Sequence, residues 1–188
     1  MSLQTTPSQT VGPYFRIGVE PLYCSDVAGV EALGQRISIA GSIVDGDGAP
    51  VGDAFIEIWQ ADAAGIYRHA EDPRAAAASS AFNGFGRIAM DERGQFQFST
   101  IKPGRVPGAD GKLQAPHLSV LIYMRGILKP VMTRLYFSDE ASANDRDPVL
   151  ALVPAGRRET LIAKLNGDHA YAWHLRMQGE HEIVAFSV

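Results

Sequence analysis

Cysteine is almost absent from this 188-residue chain: Cys24 stands alone, so no intrachain disulfide can form. A single thiol, with no apolar or basic opening segment, points to the cytosol rather than an oxidising compartment. Long apolar runs are also lacking. Residues 118–124 are far shorter than a bilayer span and include Ser119, so no membrane is expected. Nor is there an excess of positive charge. Seventeen Lys and Arg face 21 Asp and Glu, a formal net charge of −4, which argues against nucleic acid as a partner. There is no Gly-x-Ser-x-Gly elbow, no phosphate-cradling loop and no cysteine pair for zinc. Asn83-Gly-Phe-Gly86 is too short for a nucleotide fingerprint and reads as a turn.

Hydrophobic residues make up 46% and charged residues 20%, a composition that folds. For 20.3 kDa, surface scaling gives roughly 8,800 Å² folded and about 70% burial, enough for one core. The expected organisation is an N-terminal arm and connecting segment over residues 1–35, then a single domain over 36–188. Residues 1–11 are rich in Thr, Ser and Gln and read as extended, leading into a turn at Gly12-Pro-Tyr-Phe15. An arm of this kind packs more naturally on another subunit than on its own domain.

From Arg36 onward the signals are β. Ile37, Ile39 and Ile43 alternate, as a half-buried strand requires. Residues 54–60 form the next strand, with Phe55, Glu57 and Trp59 on one face and Ile56 and Ile58 on the other. Residues 87–90 and 95–101 read as a hairpin, followed by a Pro- and Gly-rich excursion over 102–116. Residues 117–125 and 131–137 are strong strands, 147–153 a short helix, and 159–164 and 171–177 strands around Asn166-Gly167. Residues 182–188 read as a last strand. His169, His174 and His181 lack ligand-spaced partners and read as surface or strand positions. Short strands with frequent turns argue an all-β sandwich or open barrel.

The motif-bearing stretch is residues 51–69. It joins a strand with Glu57, Trp59 and Gln60 to Gly65-Ile-Tyr-Arg-His69. Downstream come Thr100-Ile-Lys-Pro-Gly104, Ala115-Pro-His117 and Thr133-Arg-Leu-Tyr-Phe137, and the chain opens with Thr6-Pro-Ser-Gln-Thr-x-Gly-Pro-Tyr14. In this order the blocks resemble the intradiol ring-cleavage dioxygenases over nearly the whole chain. Arg157-Arg-Glu-Thr-Leu-Ile-Ala-Lys164 looks like the alpha-type subunit of that family rather than the beta type. The resemblance implies a β-sandwich with long loops and an assembly of alpha–beta pairs.

Members of this family hold Fe(III) with two tyrosines and two histidines. Phenolate is a hard anionic donor that suits a hard trivalent cation. By resemblance the four positions here are Tyr67, Val106, His117 and Ser119. Valine offers no donor, and a serine hydroxyl is a poor substitute for imidazole. The resemblance therefore implies a vestigial site, no catalytic residue in this chain alone, and Fe(III) bound by a homologous beta subunit. It further implies that Thr10, Gly12, Pro13, Tyr14 and Arg125 line the partner's substrate pocket, where 3,4-dihydroxybenzoate, a small aromatic acid, meets O2. A guanidinium at Arg125 suits a carboxylate. Arg134, beside Tyr136, is the rival arginine and is expected in a structural ion pair. The alternatives are a stand-alone β-sandwich binding module and, disfavoured by the missing ligands, a homodimeric iron enzyme.

Overall fold

The computed structural model describes residues 5–108 and 110–187. Residues 1–4 of the expected arm and Val188 of the expected last strand lie outside them. The strands are β1 (Arg36–Val44), β2 (Phe55–Trp59), β3 (Phe85–Ala89), β4 (Gln95–Ile101), β5 (His117–Tyr123), β6 (Val131–Phe137), β7 (Ile162–Leu165) and β8 (Ala170–Arg176). One sheet runs β3-β2-β5-β6 and the other β7-β8-β1-β4. A short parallel pairing, Tyr136 with Ile162 and Phe137 with Ala163, joins them into a single order of eight. The sandwich expected from the strand pattern is the fold observed.

The alternation seen in sequence is the alternation of burial. Ile37, Ile39 and Ile43 of β1 are at most 2% exposed, and Ile56 and Ile58 of β2 at most 1%. They meet Leu118, Val120, Ile122, Leu135, Trp173 and Leu175 in one core. Each such side chain contributes about 1.5–3 kcal/mol on leaving water. Gly41 interrupts the apolar row of β1 for a steric reason. A Cβ there would lie 1.7 Å from the Trp173 carbonyl oxygen and 2.7 Å from the Phe96 ring.

Several local expectations are corrected. The turn at 91–94 exists: Asp91 Oδ1 accepts the Arg93 and Gln95 N–H groups at 2.9 and 2.8 Å. It does not close a hairpin, because β3 pairs with β2 while β4 pairs with β1. The chain changes sheets there; a period-2 pattern marks strands without naming their partners. Residues 83–86 are not all turn, since Phe85 and Gly86 open β3. Residues 159–164 are a strand only from Ile162, because Ala155–Leu161 winds as a 3-10 helix. The Trp173 indole N–H donates to the Thr160 carbonyl in its last turn, at 3.0 Å. The helix expected over 147–153 shrinks to the 3-10 turn Leu150–Leu152, stopped ahead of Pro154.

Residues 182–187 form no ladder. They run extended across the seam between β8 and β6, through bonds from Ile183 N–H to Arg176 O, Thr133 hydroxyl to Val184 O, and Phe186 N–H to Met132 O. Along β6, β7 reaches only Tyr136 and Phe137, so this segment supplies partners to Met132 and Thr133, which β7 does not reach.

At the other terminus, the turn at 12–15 continues into α1 (Pro13–Val19), with proline in its first turn, where its missing N–H costs nothing. Phe15 stacks on Phe55 at 5.7 Å and Tyr123 at 6.1 Å. Phe55, on the outer face of β2, is thereby only 2% exposed.

Candidate functional site

Two groups of residues merit chemistry, and β5 connects them. The first lies where β5 begins. Asp62, 6% exposed, organises the loop after β2: Oδ1 accepts the Ala64 and Ile66 N–H groups at 2.9 and 3.0 Å, and Oδ2 the Ser79 N–H at 3.2 Å. Gly65 takes φ +75°, and a Cβ on it would lie 2.0 Å from the Arg105 carbonyl. Only glycine lets this loop lie against residues 104–106, where Gly104 N–H also reaches Asp62 O at 2.9 Å. Lys102, at the base of the 102–116 excursion, is clamped by Asp139 and Glu140. Tyr67 and Val106 thus line one cleft of about 530 Å³, with Trp59, His69, Asp72 and Arg74.

The Tyr67 ring stacks on Trp59 at 5.9 Å. Trp59 pairs in register with Ser119, and Ser119 with Arg134 on the next strand. His117 is 3% exposed and packs on Tyr136 at 5.7 Å. Its Nδ1 lies 2.8 Å from the Ala115 carbonyl, an acceptor only, so Nδ1 carries the proton and Nε2 the lone pair. Burial, then the Arg134 charge, push the His117 pKa down to about 4, and the imidazole is neutral at pH 7. Burial raises the Tyr67 pKa, against the opposing pull of Arg134, so the side chain is a phenol.

Arg134 is not in the expected ion pair. Its Nη1 donates to Gln114 Oε1 at 2.6 Å and to the Tyr136 hydroxyl at 3.3 Å, both neutral. The guanidinium bears on both Tyr67 and His117, opposed at His117 by the buried Asp147 carboxylate, whose Oδ1 accepts from the Tyr136 hydroxyl at 3.2 Å. A ferric ion does not fit this set: one phenol and one imidazole are its only strong donors, and a fixed cation repels it. Among the described residues no group of three or more His, Cys, Asp or Glu could hold a metal.

The second group lies where β5 ends. The Gly126 N–H donates to the Thr10 hydroxyl at 2.9 Å, tying the arm to the turn after β5. Arg125, on that turn, lines a cleft of about 300 Å³ with Gly12, Phe15, Arg16, Asp53 and Phe55. Its Nε lies 3.5 Å from Asp53 Oδ2, and its side chain is 75% exposed. Gly12 caps α1 and Pro13 opens it. Tyr14 stands 90% exposed on the same helix. The structure brings Thr10, Gly12 and Arg125 together and places Pro13 and Tyr14 on the adjoining turn. It separates all five from Tyr67, Val106, His117 and Ser119. The step from His117 to Tyr123 along β5 spans about 20 Å, and Arg125 lies beyond it.

Sequence reasoning missed Asp53 and Gln114. Asp53 lies inside the motif-bearing stretch but next to no residue that marks its arginine, and Gln114 lies outside every motif; each meets its arginine only in space. It noticed Arg134 but assigned the wrong partner type, because polar neighbours across strands are invisible in one dimension.

The sandwich is that of the ring-cleaving dioxygenases, as the following likenesses show. A family model described as "Dioxygenase" matches residues 20–179. The protocatechuate 3,4-dioxygenase alpha chain of Burkholderia cepacia is 43% identical, covering 100% of this chain and 99% of its own length. The beta chain from the same organism is 32% identical over 77% of this chain and 62% of its own. Catechol 1,2-dioxygenase from Acinetobacter sp. ADP1 shares the fold, with a TM-score of 0.63 at 20% identity over 80% of this chain and 55% of that one. The chain belongs to the intradiol dioxygenase family, as an alpha-type subunit.

Proposed function

We propose that this chain completes the substrate pocket of a homologous beta subunit and itself carries out no bond-breaking step. Fe(III) resides on that partner, and the pair cleaves 3,4-dihydroxybenzoate between its hydroxyl-bearing carbons, with O2, to 3-carboxy-cis,cis-muconate. Arg125 pairs with the substrate carboxylate. Thr10, Gly12, Pro13 and Tyr14 shape the pocket wall, chiefly through backbone placement and the Tyr14 hydroxyl. The assembly is a higher alpha–beta oligomer in the cytoplasm. Among the described residues no helix is long and apolar enough to cross a membrane.

One observation carries this reading: the arm and Arg125 lie at the far end of β5 from the degenerate ligand positions. With its carboxylate held by Arg125, one small aromatic acid cannot bring its catechol oxygens to Tyr67 and His117, about 20 Å along β5, so the metal centre that Arg125 serves belongs to another chain. Two features support a partner. The chain exposes 10785 Å², about 2,000 Å² more than a compact monomer of this mass. Tyr14 and Ile17 of α1 and Leu22 of the turn after it are 90%, 61% and 60% exposed, an apolar concentration that favours burial against another protein. A stand-alone binding module is not favoured, given full-length similarity to a dioxygenase alpha chain.

Expression with and without a homologous beta chain tests the proposal. Iron and ring cleavage are expected only in the pair. In the pair, Arg125→Ala is expected to raise KM for 3,4-dihydroxybenzoate about tenfold to a hundredfold, the value of a charge-assisted contact, with iron content unchanged. Ring cleavage by the purified chain alone at saturating ferric iron overturns the division of labour. An unchanged KM overturns the role of Arg125.

A further inference from the structure

We propose that Asp53 is a positioning residue for Arg125, holding the Nε edge of the guanidinium so that its two terminal amino groups remain a free fork for the carboxylate of an aromatic acid. The inference rests on the assignment of Arg125 to that carboxylate. Asp53 Oδ2 lies 3.5 Å from Arg125 Nε. Among the described residues, nothing hydrogen-bonds the terminal amino groups of Arg125. Oδ2 thus faces the Nε edge at ion-pair distance and leaves free the two outer N–H groups that a carboxylate arriving end-on would use.

Asp53 is not an ordinary surface acid. Its Oδ1 is buried without a hydrogen-bond partner. A carboxylate oxygen in that position is tolerated only with a cation close at hand, and Arg125 is the cation its other oxygen meets. The backbone beneath it is fixed from both sides. Arg16 of α1 donates from Nη1 to the Gly52 carbonyl at 2.7 Å. Gly52 is packed so closely that a Cβ would lie 2.9 Å from the Glu92 carbonyl oxygen. Arg125 sits on an exposed turn hydrogen-bonded to the arm through Gly126 and Thr10. A long side chain three-quarters exposed samples many rotamers, and ordering it before the substrate arrives removes that loss from binding.

The negative charge of Asp53 also repels an incoming carboxylate, and the two effects have opposite signs. Positioning is the larger because the fork remains open and the pair is already neutral as a unit. The measurement is made on the assembled alpha–beta holoenzyme, with 3,4-dihydroxybenzoate and with unsubstituted catechol, which lacks the carboxylate. Asp53→Asn is expected to raise KM for the acid about fivefold, with kcat within about twofold and KM for catechol unchanged. Asp53→Glu, which keeps the charge, is expected to restore most of the affinity. In an Arg125→Ala background, Asp53→Asn is expected to add nothing. Iron content and the melting temperature of each variant confirm an intact assembly. An unchanged or lower KM in Asp53→Asn, beside a raised one in Arg125→Ala, overturns this inference alone. So does an equal rise with and without Arg125. An unchanged KM in Arg125→Ala overturns the assignment of Arg125 and this inference with it.

Discussion

The two ends of β5 differ in how each holds its charge. At the start of the strand, His117 is buried, neutral and locked to its own backbone, and Arg134 places a permanent charge beside it. At the end, Arg125 is exposed, its anionic neighbour touches a single edge, and the adjoining helix presents apolar side chains to solvent. A missing ligand pair alone would leave a cavity that water could fill. The half-buried guanidinium of Arg134 adds to this, because a fixed positive charge nearby raises the cost of holding a second cation. The comparison teaches that fitness for a metal depends on nearby charge as well as on ligand atoms.

The strongest way to break that comparison is to rebuild the missing donors. Val106→Tyr with Ser119→His restores two tyrosines and two histidines, yet is expected to load no stoichiometric ferric iron while Arg134 stays. Adding Arg134→Gln is expected to allow loading, read by metal analysis and by the visible absorption of a ferric tyrosinate. Full loading of the double variant would show that Arg134 is no obstacle.

A smaller effect is expected from the pH dependence of folding. The folded His117 titrates near 4 against 6.5 for an unperturbed imidazole. Above pH 6.5 the ring is neutral in both states and the fold keeps its full stability. Below that, the unfolded chain takes up a proton that the folded chain refuses. Stability therefore falls as pH drops from 6.5 towards 4, by about 3 kcal/mol in all. His117→Gln is expected to flatten this segment of a denaturation-versus-pH curve. An identical slope would place the titration elsewhere.

The other end of β5 predicts a still smaller change. Phe15 is 42% exposed, so truncating it removes a partly buried stack. Phe15→Ala is expected to cost about 1–2 kcal/mol of stability and to weaken association with the beta chain, read by melting and by sedimentation of the mixture. Tyr14→Ala, at a side chain with almost no intrachain contact, is expected to shift stability by less than about 0.5 kcal/mol. A large loss of stability there would mean that α1 is built into the fold rather than offered to a partner.

Much of the fold was legible in one dimension. The alternation of Ile37, Ile39 and Ile43, the run from Phe55 to Trp59 and the two strands on either side of residue 126 all appear where period-2 burial requires them. What the pattern could not supply was pairing. The turn at 91–94 carries standard hairpin chemistry and still sends its strands to different sheets, because each finds a longer ladder elsewhere. The C-terminal residues 182–187 carry a strand-like composition but meet two different strands and complete no ladder.

The candidate site divides in the same way. That Val106 and Ser119 offer no strong donor to a metal was readable in one dimension, since residue identity alone decides whether a ligand atom exists. That Arg134 turns its charge towards those positions, and that Asp53 meets Arg125 across 72 residues, was not. The sequence by itself determined which atoms were available: a short donor list, an alternating apolar core and an arm too polar to be interior. Only the tertiary structure decided which charges became neighbours. Coulomb energy depends on separation in space and on the local dielectric, and neither can be read from separation along a chain.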